Sequence, residues 1–192
     1  MFERFTKDAR AVVQEAVGYA EAAQAETVDA EHLLLALLDR EGSRASFALS
    51  ALGAGERKES VRRSLAEARR RAGLSQAETD ALAGLGIDVS EIVARVEEAH
   101  GVGAMSGDRK DKRWWPGHRS FSRGAKEVLE KALRVAVARR DRRIGDEHIL
   151  LALTVRPGVP AEVLADHGVT HESLTRVLGG GAGEAGTGEA CA

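Results

Sequence analysis

The chain has 192 residues, of which 43% are hydrophobic but only 4% aromatic, with three prolines in all. That length suits one ordinary domain with a real core, and the Ala, Leu, Glu and Arg richness favours helix over sheet. Lys and Arg number 28 against 30 Asp and Glu, a formal net charge of −2, so no global field favours nucleic acid or an anionic membrane. No apolar run approaches the roughly 18 residues of a membrane span, and no secretory leader pattern opens the chain. The single cysteine, Cys191, can form no internal disulfide, which suits a reducing compartment and predicts a cytoplasmic protein.

In chain order, Thr6 is the first helix-capping candidate, its hydroxyl able to accept from a free backbone N–H of the first turn. Ala9, Val12, Val13, Ala16 and Ala20 follow with the spacing of a buried helical stripe. A second helix starts near Asp29 with a Leu-rich face. A third runs toward Leu49 and Leu52, with Gly53 as its stop. Ser75-Gln76-Ala77-Glu78 and Asp88-Val89-Ser90-Glu91 carry capping-box spacing and predict two more helices. The stretch 102–119 mixes glycines, charges, Trp114, Trp115 and Pro116 and reads as a linker. Ser122 then caps a helix with Ala125, Val128, Leu129, Ala132 and Val135 as its stripe. Helices from near Asp146 and from Pro160 to His167 follow, the latter stopping at Gly168. The Gly/Ala/Glu-rich stretch 179–192 has nothing to bury and is predicted to be a disordered tail.

These elements form an internal repeat. Phe5-Thr6-Lys7-Asp8-Ala9 recurs as Phe121-Ser122-Arg123-Gly124-Ala125, and Glu31-His32-Leu33-Leu34-Leu35-Ala36-Leu37 as Glu147-His148-Ile149-Leu150-Leu151-Ala152-Leu153, both 116 residues on. Such self-similarity predicts two copies of one supersecondary unit packed together. Further along, Gly86-Ile87-Asp88 with Ile92 and Val96 matches Gly168-Val169-Thr170 with Leu174 and Leu178 at an offset of only 82, implying about 34 extra residues in the first copy. The expected organisation is a first repeat over 1–101 with a helical insertion near 54–85, a linker over 102–119, a second repeat over 120–178, and the tail.

Met1-Phe2-Glu3-Arg4-Phe5-Thr6, the paired Glu-His-(Leu/Ile)-Leu-Leu-Ala-Leu segments, and Gly117-His118-Arg119-Ser120-Phe121-Ser122 with Ala125-Lys126 resemble the double Clp-N repeat. That domain heads the Clp unfoldases, and the chain is similar to the stand-alone form of actinobacterial type. The resemblance implies an all-α, pseudo-twofold bundle of about eight helices that binds Clp ATPase or protease components, their substrates, adaptors or peptide-like ligands. An adaptor and a ligand-sequestering decoy fit equally well. No Gly-x-x-x-x-Gly-Lys-(Ser/Thr) occurs, and Gly53-Ala54-Gly55-Glu56-Arg57-Lys58 has the wrong spacing to cradle a phosphate. No nucleophile elbow or zinc-binding His-Glu-x-x-His occurs either. A non-enzyme without cofactor is therefore expected.

The resemblance also implies site residues. Glu31 and Glu147, with Thr6 and Ser122, match positions that receive phosphoarginine on marked substrates. A glutamate in a helix's first turn is equally explained by the helix dipole, so capping and recognition both stand. Asp146, in place of the family's usual Thr, adds negative charge where a phosphate would approach. Phe2, Arg10, Lys126 and Glu130 match a surface that takes cyclic peptides, although Lys126 and Glu130 also have the spacing of a helix-face ion pair. His32 and His148 read as satisfied core or capping side chains. His167 and His171 are separated by the helix-breaking Gly168, which argues against a metal site. Arginine clusters at 57–71 and 139–143 are the basis of a rival reading, a nucleic-acid-binding helical regulator. Interleaved Glu56, Glu59 and Glu67 argue against it.

Overall fold

A computed structural model describes residues 2–71, 73–74, 76–101, 104–105 and 119–179. Trp114, Trp115, the Gly117-His118 part of the second-repeat motif, Ser75, the 180–192 stretch and Cys191 lie outside the described residues, and so does the side chain of Phe2. The described chain is all-α but for one pair of two-residue strands. Its helices are α1 (Lys7–Ala22), α2 (Ala30–Asp39), α3 (Arg44–Ala51), α4 (Lys58–Arg70), α5 (Gln76–Gly84), α6 (Val89–His100), α7 (Arg123–Ala138), α8 (Asp146–Val155), α9 (Val159–Asp166) and α10 (His171–Gly179).

The caps form where the polar residues require them. Thr6 Oγ1 accepts from the Ala9 N–H at 3.1 Å and Ser122 Oγ from the Ala125 N–H at 3.2 Å. Ser43 and Ser46 cap α3 reciprocally, and Asp88 accepts from the first-turn N–H groups of α6. Positive-φ glycines at 53 and 168 end α3 and α9, letting Ala54 donate back to Leu49 and Val169 to Leu164.

The repeats exchange their leading segments. β1 (Thr27–Val28), before α2, pairs in parallel with β2 (Ser120–Phe121), before α7. Residues 116 positions on from the first strand and back from the second repeat the arrangement, with Phe5 bridged to Ile144. Ser122 donates its N–H to Val28 O at 3.0 Å, as Thr6 does to Ile144 O at 2.9 Å. Each capping hydroxyl is thereby delivered to the helix start of the other repeat. The core lies between α2 and α8, which pack on each other and on α1, α3, α7 and α9. Leu33, Leu34, Leu37, Ile149, Leu150 and Leu153 are fully buried, each contributing about 2 kcal/mol of apolar transfer energy. Among the described residues no single helix is long and apolar enough to cross a membrane. The adjoining α8 and α9 bend by 97° and are core helices.

Packing locates the surplus of the first repeat more narrowly than the sequence offset does. α10 packs on α3 and α8, and α4 packs on α9 and α2 in the twofold-related way. Val61 and Leu65 of α4 are buried as Leu174 and Leu178 of α10 are. Although α4 falls within the 54–85 stretch read as inserted, it takes the place of α10's twin. Two four-helix repeats thus make eight helices, and the surplus is the α5–α6 hairpin. That hairpin packs little on the body: α5 buries no side chain, and α6 buries only Val89 and Val93.

Candidate functional site

Glu31 stands in the first turn of α2, and β1–β2 pairing sets the N-terminus of α7 opposite it. Between them lies an open cleft of about 650 Å³ lined by Thr27, Asp29, Glu31, Arg69, Ser122, Arg123, Gly124 and Arg156, among others. Glu31 retains 20% side-chain exposure, and its Oε1 lies 2.9 Å from Arg69 Nη2 at the end of α4. The same Nη2 is 3.4 Å from His32 Nε2. Opposite, Arg156 bonds Glu127 at 3.2 Å and lies close over Gly124, where a Cβ would meet its Nη2 at 2.9 Å. The cleft therefore opposes a carboxylate on one wall to a helix N-terminus with two arginines on the other. That arrangement suits a ligand bearing both a cation and an anion. Asp29, Glu31 and His32 also bring ligand-type atoms within 4.8 Å of one another. Arg69 already holds the cationic place there, and His32 Nδ1 accepts the Asp29 N–H at 2.9 Å.

The second repeat is built differently. Glu147 is only 5% exposed and bonds Arg44 Nη1 at 2.9 Å. Its carboxylate folds back over its own helix start, so close to Gly145 that a Cβ there would lie 1.9 Å from Oε2. The twin of Gly145 is Asp29, which has a Cβ, and Glu31 points into the cleft instead. Asp146 faces inward, its Oδ2 accepting from the Ala45 N–H at 3.2 Å at the start of α3. Its charge serves that helix end and is buried rather than presented to a ligand.

Burial pushes the Glu147 carboxyl up from the usual 4.5, against the pull of its own backbone N–H, His148 and Arg44. A carboxyl with a raised folded pKa binds its proton more tightly in the folded chain. Its favourable contribution is complete below the unfolded value and is lost as pH rises through the folded value. Glu147→Gln, which cannot ionise, should therefore gain stability relative to wild type as pH rises from about 4 toward neutrality, where the unfolded carboxyl ionises before the folded one. Urea unfolding across that range tests this, and parallel stability profiles of the two proteins would refute it.

The remaining sequence candidates separate. Arg10 and Lys126 are twins, each exposed one turn beyond its capping hydroxyl on α1 and α7. Glu130 is exposed and lies 3.8 Å from Arg134. His32 and His148 are buried, and each accepts the N–H of the residue before its helix on Nδ1. His167 is also engaged, with Val163 O and Ser60 Oγ. Three of the four arginines of α4 turn to carboxylates: Arg62 to Asp39, Arg69 to Glu31, and Arg70 to Glu97 with two bonds. That engagement leaves the 57–71 cluster poorly arranged to grip phosphates. Arg44, Arg69 and Gly145 were not singled out from the sequence for these roles, and only their placement beside the two glutamates reveals them.

Fold and clefts together define an all-helical, two-repeat binding domain. A family model described as the Clp repeat (R) N-terminal domain matches residues 4–100 and 120–187, and the chain belongs to that family, as a Clp-associated binding module. Among solved structures, the chain is similar to the N-terminal domain of the caseinolytic protease associated chaperone ClpD from Arabidopsis thaliana. Identity is 21% over 93% of this chain and 94% of that one, with a TM-score of 0.50, a likeness of fold.

Proposed function

We propose that this chain is a non-catalytic recognition module of the cytoplasmic Clp protease and unfoldase system, receiving a guanidinium-plus-phosphate group in the cleft between Glu31 and Ser122. The observation that carries the reading is the facing of the partly buried Glu31 carboxylate and the α7 N-terminus, flanked by Arg123 and Arg156, across one open cleft. Glu31 takes the guanidinium, while the Ser122 end of α7 and the arginines take the phosphate. Glu147 and Thr6 form the related but closed place in the other repeat. A peptide carrying phosphoarginine would extend from the cleft along α7 past Lys126 and Glu130. Arg10 offers the corresponding surface on α1, where cyclic peptides are the second class of ligand. Binding alone serves an adaptor that presents marked substrates to a Clp ATPase, or a decoy that withholds ligands from it.

Fluorescence anisotropy with a labelled phosphoarginine peptide tests the site. Glu31→Gln should weaken binding at least about tenfold, the loss of one charge-assisted, two-pronged contact. Glu147→Gln should change it little. Equal affinity of wild type and Glu31→Gln would sink the reading. Capture of nucleic acid that is lost with salt and indifferent to Glu31 would replace it with nucleic-acid binding.

A further inference from the structure

Phe47 of α3 is 65% exposed, whereas its twin in the other repeat, Val163 of α9, is 6% exposed. The cover differs: α4, with 13 residues, packs on α9, and α10, with nine, packs on α3. Beside Phe47 lies an open cleft of about 740 Å³, lined also by Arg44, Arg139, Val177 and Gly179. Its rim is basic. Arg44 is more than half exposed, and Arg140, Arg142 and Arg143 are exposed in the segment after α7. Asp141 is the one carboxylate in that segment and is shared by Arg139 and His148.

The α5–α6 hairpin has the converse face. Leu85 is 77% exposed, and Ile87 and Ile92 are exposed with it. Ile87 precedes the capping Asp88 and Ile92 stands at the fourth position of α6, the spacing of a hydrophobic staple, so the three residues share the turn end of the hairpin. Their counterparts Val169 and Leu174 are fully buried around the start of α10. The hairpin is also acidic, with six Asp and Glu in 76–100 against Arg95 alone. In its own chain it stands elsewhere, tied by Arg70 to Glu97 at 2.7 Å and lining the Glu31 cleft through Glu78. We propose that its apolar end docks in the Phe47 cleft of a second copy of this chain. Leu85, Ile87 and Ile92 then cover Phe47, and Asp88 and Glu91 meet the arginine rim. The two faces are complementary in both charge and apolar surface, which selects a second copy as the occupant. Each copy carries one hairpin and one cleft, so two copies satisfy both by exchange.

Sedimentation velocity of the whole chain over a wide concentration range tests the proposal. Wild type should pair as concentration rises, and more weakly at high salt. Leu85→Asp and Phe47→Asp should each weaken pairing at least about tenfold. Mixing the two variants is the decisive arm. One keeps an intact cleft and the other an intact hairpin, so the mixture should form a pair that neither variant forms alone. That recovery also shows that both variants are folded. No recovery, with both variants helical by circular dichroism, overturns the proposal. A wild type that stays monomeric throughout overturns it as well and leaves the Phe47 cleft to a foreign partner. Pairing lost in Leu85→Asp but kept in Phe47→Asp sets hairpin against hairpin and removes the cleft as the place of docking.

Discussion

His148→Ala should destabilise the domain by about 3 kcal/mol, the sum of an orphaned buried donor and a partly filled cavity. His148 is 1% exposed. Its Nδ1 accepts the buried Gly145 N–H at 2.8 Å, so Nε2 carries the proton and donates to Asp141 Oδ2 at 2.9 Å. Truncation removes both bonds at the start of α8, the helix on which both repeats pack. His148→Gln retains an acceptor at the third helical position, as in an ordinary capping box, and should recover part of the loss. The twin change His32→Ala should cost less, because the Asp29 N–H it exposes lies at the rim of the open cleft and can take a water. Urea unfolding of the three variants decides. A loss below about 1 kcal/mol for His148→Ala, or a larger loss for His32→Ala, would show that these histidines do not hold the helix starts.

The periodic and local signals of the sequence carried the fold. Thr6 and Ser122 cap the helices that their spacing predicts, and the 116-residue offset reappears as exchanged strand pairing between the repeats. The place of the surplus helices was not legible, for a physical reason. Gly53-Ala54, Gly86-Ile87 and Gly168-Val169 are the same helix stop, a positive-φ glycine followed by an apolar residue that donates five residues back. Any two of the three can be aligned. Only burial tells them apart: Ala54 and Val169 are 0% exposed and Ile87 is 40% exposed, so the first and third are the structural twins.

The candidate site divides in the same way. Glu31 and Glu147 are prominent in the sequence because their motif repeats, but their unequal environments depend on residues far away in the chain or lacking a side chain. Arg69 reaches Glu31 only because α4 lies along α2, and Arg44 reaches Glu147 only because α3 packs on α8. A charge run such as 57–71 reads as a solvated face until its carboxylate partners are placed.

Gly145→Ala should turn Glu147 outward and convert the closed place in the second repeat into an open one. The backbone at Gly145 has φ −89° and ψ 171°, which any residue adopts, so the substitution strains nothing locally. What stands in the way of the new Cβ is the Glu147 carboxylate, the far end of a flexible side chain. It can swing out, and doing so relieves the burial that now opposes its ionisation. Arg44, already more than half exposed, then becomes free to follow it or to face solvent. The stability change should stay within about 1 kcal/mol, while the binding change is large. In calorimetric titration with the phosphoarginine peptide, wild type should take one equivalent and Gly145→Ala two. Adding Glu147→Gln to Gly145→Ala should return the count to one. A single equivalent in the alanine variant would mean that Thr6 and the helix start near Glu147 cannot complete a site even when the carboxylate is presented. The two repeats would then differ in more than the one atom that separates alanine from glycine.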